Sequence, residues 1–215
     1  MAGVLYLVPN LLGAVAPEAV LSARTIEIAR RLDRWAVETP KAARAFLKSL
    51  GVLRPIAELD ILPLADGRDA GERDPALAAL ASGHDVGLLS DAGCPGVADP
   101  GAALVAGAHA RCIRVVPLVG PSAILLALMA SGMNGQQFCF HGYLPVKPGA
   151  RTIALRALEQ QSRANARTEL CIETPYRNAS LLRTMAQTLS AGTPVCNAPD
   201  LTPSTDTPEC SPAPQ

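Results

Sequence analysis

The sequence has little of what marks most nucleic-acid-binding proteins. Aromatic residues make up 3% of the 215 residues, and 19 Lys and Arg are balanced by 19 Asp and Glu, so the formal net charge is zero. This balance argues against a protein held on nucleic acid or anionic lipid mainly by bulk electrostatics. A local basic patch is not excluded, because residues 1–191 carry 19 positive and 16 negative side chains.

Closely spaced metal ligands of the CxxC type are also missing. The six cysteines and three histidines are scattered, so a structural zinc is disfavoured and no metal site is predicted. Cys112, Cys139 and Cys171 lie in apolar, strand-like runs, where a free cysteine behaves as a small buried hydrophobe. This cysteine usage favours a reducing, cytoplasmic setting.

The sequence predicts neither a signal peptide nor a membrane span. The first positive charge is Arg24, so the apolar N-terminus has no basic region before it. Val115 to Gly135 is a run of 21 uncharged residues, which is long enough to cross a bilayer. Because Gly120-Pro121 interrupts this run, we predict a buried strand followed by a buried helix.

Short apolar runs alternate with helical patterns along the chain. This alternation predicts an α/β fold with a mostly parallel sheet in the N-terminal domain and a smaller α/β C-terminal domain. We place the domains at 1–135 and 136–198, and we predict a disordered, proline-rich tail over 199–215. Within the first domain the pattern predicts one helix over Pro17 to Asp33 and a helix N-cap at Asp99.

Three loops that follow predicted strands are the candidate binding regions: Pro9 to Gly13, Ser90 to Gly101 and Gly120 to Ser122. In an open α/β sheet, ligands bind beyond the carboxyl ends of the strands. The second loop is the richest in glycine and proline, which let a backbone approach a ligand closely. None of the loops is a Walker A or GxGxxG motif. A serine hydrolase is disfavoured, because Ile124 stands where the GxSxG elbow after Ser122 requires glycine.

These loops resemble the tetrapyrrole methylase superfamily, the class III S-adenosylmethionine-dependent methyltransferases. Within it the chain is most similar to the branch of the small-subunit ribosomal RNA 2'-O-ribose methyltransferase. The matching segments follow the family's order over roughly residues 3 to 202: Leu5-Tyr6-Leu7-Val8-Pro9, Glu38-Thr39, Ser90-Asp91-Ala92-Gly93 with Pro95 and Asp99-Pro100-Gly101, Val115-Val116-Pro117 with Gly120-Pro121-Ser122, Phe138 with Gly142-Tyr143-Leu144-Pro145, and Glu173-Thr174-Pro175 with Arg177.

The resemblance implies a two-domain homodimer that binds S-adenosylmethionine in the cleft between its domains. It places the cofactor contacts on loops of both domains and implies no metal and no identified catalytic residue. The implied cofactor-binding residues are Pro9, Asp91, Gly93, Cys94, Val97, Ser122, Ala123 and Leu144.

The resemblance further implies a methyltransferase whose methyl acceptor is RNA, with a ribosomal RNA ribose hydroxyl as the first candidate. A small molecule such as a tetrapyrrole is the alternative acceptor, because Glu38 is followed by Thr39-Pro40-Lys41 and not by the branch's acidic residue and Thr-Arg. Candidate RNA-facing residues are Lys147, Arg151 and Arg177. Where relatives continue into further strands, Pro203 onward is a Pro/Thr/Ser tail, so we expect a truncated or frameshifted product. A binding-only or catalytically impaired relative therefore stays open.

Overall fold

The computed structural model describes residues 1–65, 74–199, 201–202 and 209–212. The chain divides into two compact units, Met1–Ser122 and Ala123–Gln215. The division follows Gly120-Pro121, which separates a strand from the helix after it. The boundary predicted at residue 135 assigned this helix and the turn that follows it to the first domain, whereas here they belong to the second unit.

The first unit contains a five-stranded, fully parallel sheet. Its strands are β1 (Val4–Leu7), β2 (Arg34–Val37), β3 (Asp60–Pro63), β4 (Val86–Leu89) and β5 (Arg114–Pro117), in the order β3-β2-β4-β1-β5. The pairings run Leu5 to Val86 and to Val115, and Trp35 to Gly87. The predicted α/β class with a parallel sheet is confirmed.

Five helices of this unit are described, together with a short 3-10 turn at Ile56–Glu58. They are α1 (Pro17–Val20), α2 (Ala23–Arg31), α3 (Pro40–Leu50), α4 (Pro75–Ala81) and α5 (Ala102–Ala110). The single helix predicted from Pro17 to Asp33 is therefore wrong. The chain breaks at Leu21, and the Ser22 side chain restarts it by accepting a hydrogen bond from the Thr25 backbone N–H at 3.2 Å.

Helices cover both faces of the sheet, as a fully parallel sheet requires. One core packs α2 and α3 against the sheet around Trp35, whose side chain is fully buried. The other packs α4 and α5 against the opposite face, around Leu88 and Leu104. The alternation Trp35, Ala36, Val37 divides β2 between these two cores, so both faces of this strand are packed.

Two helix starts in this unit differ in whether an aspartate caps them. Asp74 caps α4, since its Oδ1 accepts the Ala76 N–H at 2.9 Å. Asp99 does not cap α5, so that prediction is wrong. The residue before α5 is Gly101 with φ +123°, a conformation that glycine tolerates best, and no side-chain hydrogen bond caps this helix.

The second unit begins with α6 (Ala123–Ser131) and carries two small sheets. Strands β6 (Phe138–Tyr143) and β7 (Thr168–Ile172) are parallel. Helix α7 (Pro148–Asn165) connects them, and α8 (Pro175–Thr188) follows β7. A small core of Leu144, Leu155 and Leu181 packs between these elements.

The end of the chain departs from the predicted disordered tail. Strand β8 (Pro194–Asn197) pairs antiparallel with β9 (Glu209–Pro212), and Cys196 and Cys210 form a disulfide. For residues 209–212 the prediction is therefore wrong, because backbone pairing with β8 supplies an element that composition did not indicate. Residues 200, 203–208 and 213–215 of the predicted tail lie outside the described residues.

Two further expectations concern single features. Cys112 is exposed and has φ +52° in the turn before β5, so its predicted burial within a strand is wrong. The uncharged run from Val115 forms the end of β5 and then α6, as predicted from the Gly-Pro break. Within the described ranges, no helix has the length and apolar character needed to cross a membrane.

Candidate functional site

Three loops meet at the carboxyl edge of the parallel sheet in the first unit. They follow β1, β4 and β5, which are neighbours in the sheet, so their ends emerge side by side. The Val8 N–H donates to the Leu88 carbonyl at 2.9 Å, and the Asn10 N–H donates to the Gly93 carbonyl at 2.8 Å. The Cys94 thiol donates to the Pro121 carbonyl at 3.4 Å. Backbone and side-chain bonds thus tie the three loops together.

Asn10 joins the first loop to the second. Its side chain is 5% exposed, and its Nδ2 donates to the carbonyls of Ser90 at 2.9 Å and Asp91 at 3.0 Å. Its Oδ1 accepts the Leu11 N–H at 2.7 Å. Sequence reasoning missed this residue, because an asparagine after a proline is typical of an ordinary turn.

The end of β2 is fastened to the same loop by two reciprocal bonds. Glu38 Oε2 accepts the Asp91 N–H at 3.0 Å, and Asp91 Oδ1 accepts the Thr39 N–H at 3.2 Å. Each side chain therefore orders the backbone of the other segment. This pairing gives Glu38-Thr39 and Ser90-Asp91 a shared structural role that their separation in sequence conceals.

A third acid, Asp99, lies near this pair and gives the edge a negative character. Partial burial raises the pKa of the Asp99 carboxyl, the Glu38 charge and more weakly the Asp91 charge raise it further, and a hydrogen bond with Ser90 opposes them. Burial first and then the Asp99 charge also raise the pKa of the Cys94 thiol. The thiol is therefore protonated at neutral pH, which makes Cys94 a poor nucleophile.

Two glycines let the backbone of these loops come close together. Gly93 has φ +62°, and a Cβ there would lie 3.2 Å from Leu12 Cδ2. At Gly120 a Cβ would lie 2.4 Å from the Cβ of Pro9, closer than real Cβ atoms come. A side chain at either position would strain or displace a loop, so the first loop's close approach to the second depends on Gly93 and its close approach to the third on Gly120.

The structure brings most of the predicted cofactor-binding residues into this one region. Those in the three joined loops are Pro9, Asp91, Gly93, Cys94, Val97 and Ser122. Val97 is 48% exposed and needs no burial for folding. Ala123 is the first residue of the second unit, and Leu144 lies deeper in that unit, after β6.

Leu144 has its own supporting contacts in the second unit. It is 5% exposed, and its carbonyl accepts a hydrogen bond from Arg177 at 3.0 Å. Arg177 also forms an ion pair with Glu173 at 2.9 Å. The Glu173-Thr174-Pro175 segment with Arg177 therefore orders the backbone around Leu144.

Two of the three candidate RNA-facing residues are turned inward. Arg151 is 4% exposed and donates to Ser180 Oγ at 2.9 Å, so its prediction as a solvent-facing charge is wrong. Arg177 is held by the contacts just described, with 17% of its side chain exposed. Lys147 is exposed at the start of α7 and stays a candidate. A charge pattern alone does not tell which cations a helix pair will bury.

Comparison with known proteins adds to this geometry. No protein-family model matches the chain. The ribosomal RNA small subunit methyltransferase I of Mesorhizobium japonicum is 40% identical over 186 residues, which are 86% of this chain and 59% of that protein. The protein of the same name from Escherichia coli O157:H7 is 33% identical over 205 residues, which are 95% of this chain and 68% of that protein. The chain belongs to the ribosomal RNA small subunit methyltransferase I family. The predicted resemblance to this branch is confirmed.

The extent of the match differs between sequence and structure. The chain spans 59 to 68% of the length of these two curated relatives of the family. Among solved structures, the methyltransferase CobJ matches with a TM-score of 0.63 at 20% identity, covering 99% of this chain and 87% of that one. The uroporphyrin-III-C-methyltransferase of Thermus thermophilus matches with a TM-score of 0.56 at 16% identity, covering 99% and 84%. At these identities the structural matches establish the shared fold alone.

Proposed function

We propose that this chain is an S-adenosylmethionine-dependent methyltransferase that acts on ribosomal RNA of the small subunit, at a ribose 2'-hydroxyl. The observation that carries the proposal is its identity of 33 to 40% to two proteins named for methylation of that RNA. The ribose hydroxyl as acceptor follows from the sequence resemblance to the 2'-O-methyltransferase branch. The name of those relatives also supports a cytoplasmic location, where ribosomal RNA is found in bacteria.

The carboxyl edge of the first unit's sheet fits a cofactor of this kind. S-adenosylmethionine carries a positive sulfonium, and Glu38, Asp91 and Asp99 give this edge a negative potential. Gly93 and Gly120 allow backbone groups to approach a ligand closely. The proposed contact residues are those predicted from sequence: Pro9, Asp91, Gly93, Cys94, Val97, Ser122, Ala123 and Leu144.

In methyl transfer, the main task of the protein's side chains is to position the cofactor and the acceptor. When bound, the cofactor supplies a methyl group that its sulfonium has already activated. The Asn10 and Glu38–Asp91 contacts keep the loops in one shape, and a fixed loop fixes the direction in which a ligand lies. A hydroxyl acceptor must also lose a proton. We assign no residue to that step.

A binding-only relative is the second candidate, and a specific observation favours it. The chain spans 59% of the length of the Mesorhizobium japonicum relative, and no residue of the chain is assigned to removing the acceptor's proton. In that case the cofactor would bind without methyl transfer. We also propose a homodimer, on the resemblance alone, which sedimentation equilibrium tests directly through the mass of the species in solution.

Calorimetric titration with S-adenosylmethionine and S-adenosylhomocysteine tests the proposed site. We expect saturable binding to the full chain and at least about tenfold weaker binding to Val97→Arg, which adds bulk and positive charge at a half-exposed position. Leu53→Arg is the matched control. Leu53 is 74% exposed and follows the end of α3, away from the loops at the carboxyl ends of the strands. No binding heat in the wild-type chain, or equal binding by both variants, would contradict the proposed site.

A further inference from the structure

Three side chains of different chemistry share one face of the β6–β7 sheet. Cys139 and His141 are two residues apart on β6, so both point to the same face. Glu169 lies on β7 directly opposite Cys139 in the parallel register. Sequence reasoning missed this group, because it searched for CxxC pairs, whereas a strand presents alternate residues.

The donor atoms of these three residues are close together. The Cys139 sulfur, one nitrogen of His141 and one carboxylate oxygen of Glu169 all lie within 4.8 Å of one another. Around a tetrahedral zinc, metal–ligand bonds of about 2.0 to 2.3 Å place neighbouring donors about 3.4 to 3.6 Å apart. His141 Nε2 and Glu169 Oε2 are 2.6 Å apart, so binding of a metal would have to increase the distance between these two atoms by about 0.8 Å.

The surroundings hold the carboxylate in a suitable orientation. Arg167 Nε donates to Glu169 Oε1 at 2.7 Å, which leaves Oε2 directed at His141. The Glu169 side chain is 8% exposed and the His141 side chain 23%, so the group is shielded but reachable by an ion. Second partners of this kind orient metal ligands in many proteins.

We propose that Cys139, His141 and Glu169 bind a divalent transition-metal ion, with zinc the best match. Thiolate, imidazole and carboxylate are all ligands that zinc accepts, and three protein ligands leave a fourth position for water. Binding displaces the thiol proton of Cys139 to solvent and requires neutral His141. The proposal is independent of methyl transfer, since none of the three residues is a proposed cofactor contact.

Cobalt(II) titration of the full chain, followed by zinc competition, tests the site. We expect one equivalent of cobalt with a thiolate-to-metal absorption band and intense visible bands of a tetrahedral ion. Cys139→Ser should abolish the thiolate band, and His141→Gln should weaken binding at least about tenfold. Cys112→Ser is the matched control, since Cys112 is exposed in the first unit, and it should bind as the wild type does.

Folding and rival ligands are checked in the same series. Circular dichroism of each variant should match the wild type, and His141→Gln keeps the test valid if Cys139→Ser does not fold. Absence of stoichiometric binding would overturn the proposal and leave Arg167, Glu169 and His141 as a hydrogen-bonded cluster. Binding lost on changing Cys196 and Cys210 to Ser, but kept in Cys139→Ser, would overturn it by placing the metal on the thiolates that these two residues present when their disulfide is reduced.

Discussion

Replacing Asn10 with alanine should destabilise the first unit by about 1.5 to 4.5 kcal/mol. The substitution removes three hydrogen bonds of a side chain that is 5% exposed, two to carbonyls of the β4 loop and one from the Leu11 N–H. Each such bond contributes about 0.5 to 1.5 kcal/mol net. Their loss leaves the first loop held to the second by backbone bonds such as that from the Asn10 N–H to the Gly93 carbonyl. The loop is then less firmly fixed, so we also expect weaker binding of S-adenosylmethionine.

Urea denaturation followed by tryptophan fluorescence measures this effect. Trp35 is the one tryptophan of the sequence and is fully buried in the first unit, so its emission reports unfolding of that unit. With a slope of about 1.5 kcal/mol per M, the expected loss lowers the urea midpoint by about 1 to 3 M. The exposed Ser82→Ala variant removes one hydrogen bond, to the Ala78 carbonyl, and should change the free energy of unfolding by less than about 0.5 kcal/mol.

A conservative variant makes the reasoning refutable. Asn10→Asp keeps the acceptor for Leu11 but replaces both donors with a carboxylate that faces two carbonyl oxygens. It should be at least as destabilising as Asn10→Ala at neutral pH. If either variant unfolds at the wild-type urea midpoint, the Asn10 side chain does not hold the loops together.

The remaining predictions concern packing and pH dependence. Gly87→Ala should cost about 1 to 3 kcal/mol in urea denaturation, because its Cβ would lie 2.6 Å from the buried Trp35 ring; a wild-type midpoint would show that the ring can move aside. Asp99→Asn should raise the melting temperature at pH 7, because the raised pKa of Asp99 means that folding disfavours its ionised carboxyl. The gain should vanish as the pH falls below about 3.9, the ordinary pKa of aspartate. A melting temperature of the variant below that of the wild type at pH 7 would contradict this prediction. Burial by itself raises the pKa of Glu169, but bonds from Arg167 and His141 outweigh it and the pKa is lowered. The bonds from Arg167 and His141 to the ionised Glu169 therefore stabilise the fold above about pH 4.3. Thermal melts should show that this stability is lost on acidification in the wild type and is absent in Glu169→Gln. Equal acid sensitivity of the two proteins would refute this prediction.

The fold class could be predicted because local chemistry and burial agree along the first unit. Apolar runs such as Val86–Leu89 are buried along their whole length, which is typical of a central parallel strand. The strand order could not be predicted in the same way. Nothing local in the sequence specifies that β4 lies between β1 and β2, because that order depends on which helix faces pack together.

The loops of the candidate site could be predicted from the sequence, but the hydrogen bonds that join them could not. The glycine-rich loop after β4 and its neighbours were identified by type and position. Asn10, by contrast, acts on residues 80 positions away, and no local pattern reveals such a bond. Asp99 was misassigned as a cap because Asp-Pro before an apolar helix is a common start, whereas here Gly101 takes that place.

Methyl transfer from labelled S-adenosylmethionine to unmethylated small-subunit ribosomal RNA tests the proposed activity most directly. The proposal predicts incorporation by the wild-type chain and by Leu53→Arg, and at least about tenfold less by Val97→Arg at limiting cofactor. Calorimetric cofactor binding measured on the same samples separates the two candidate functions. Cofactor binding without incorporation into the RNA would contradict RNA as the methyl acceptor and leave a binding-only relative or a methyltransferase of a small molecule.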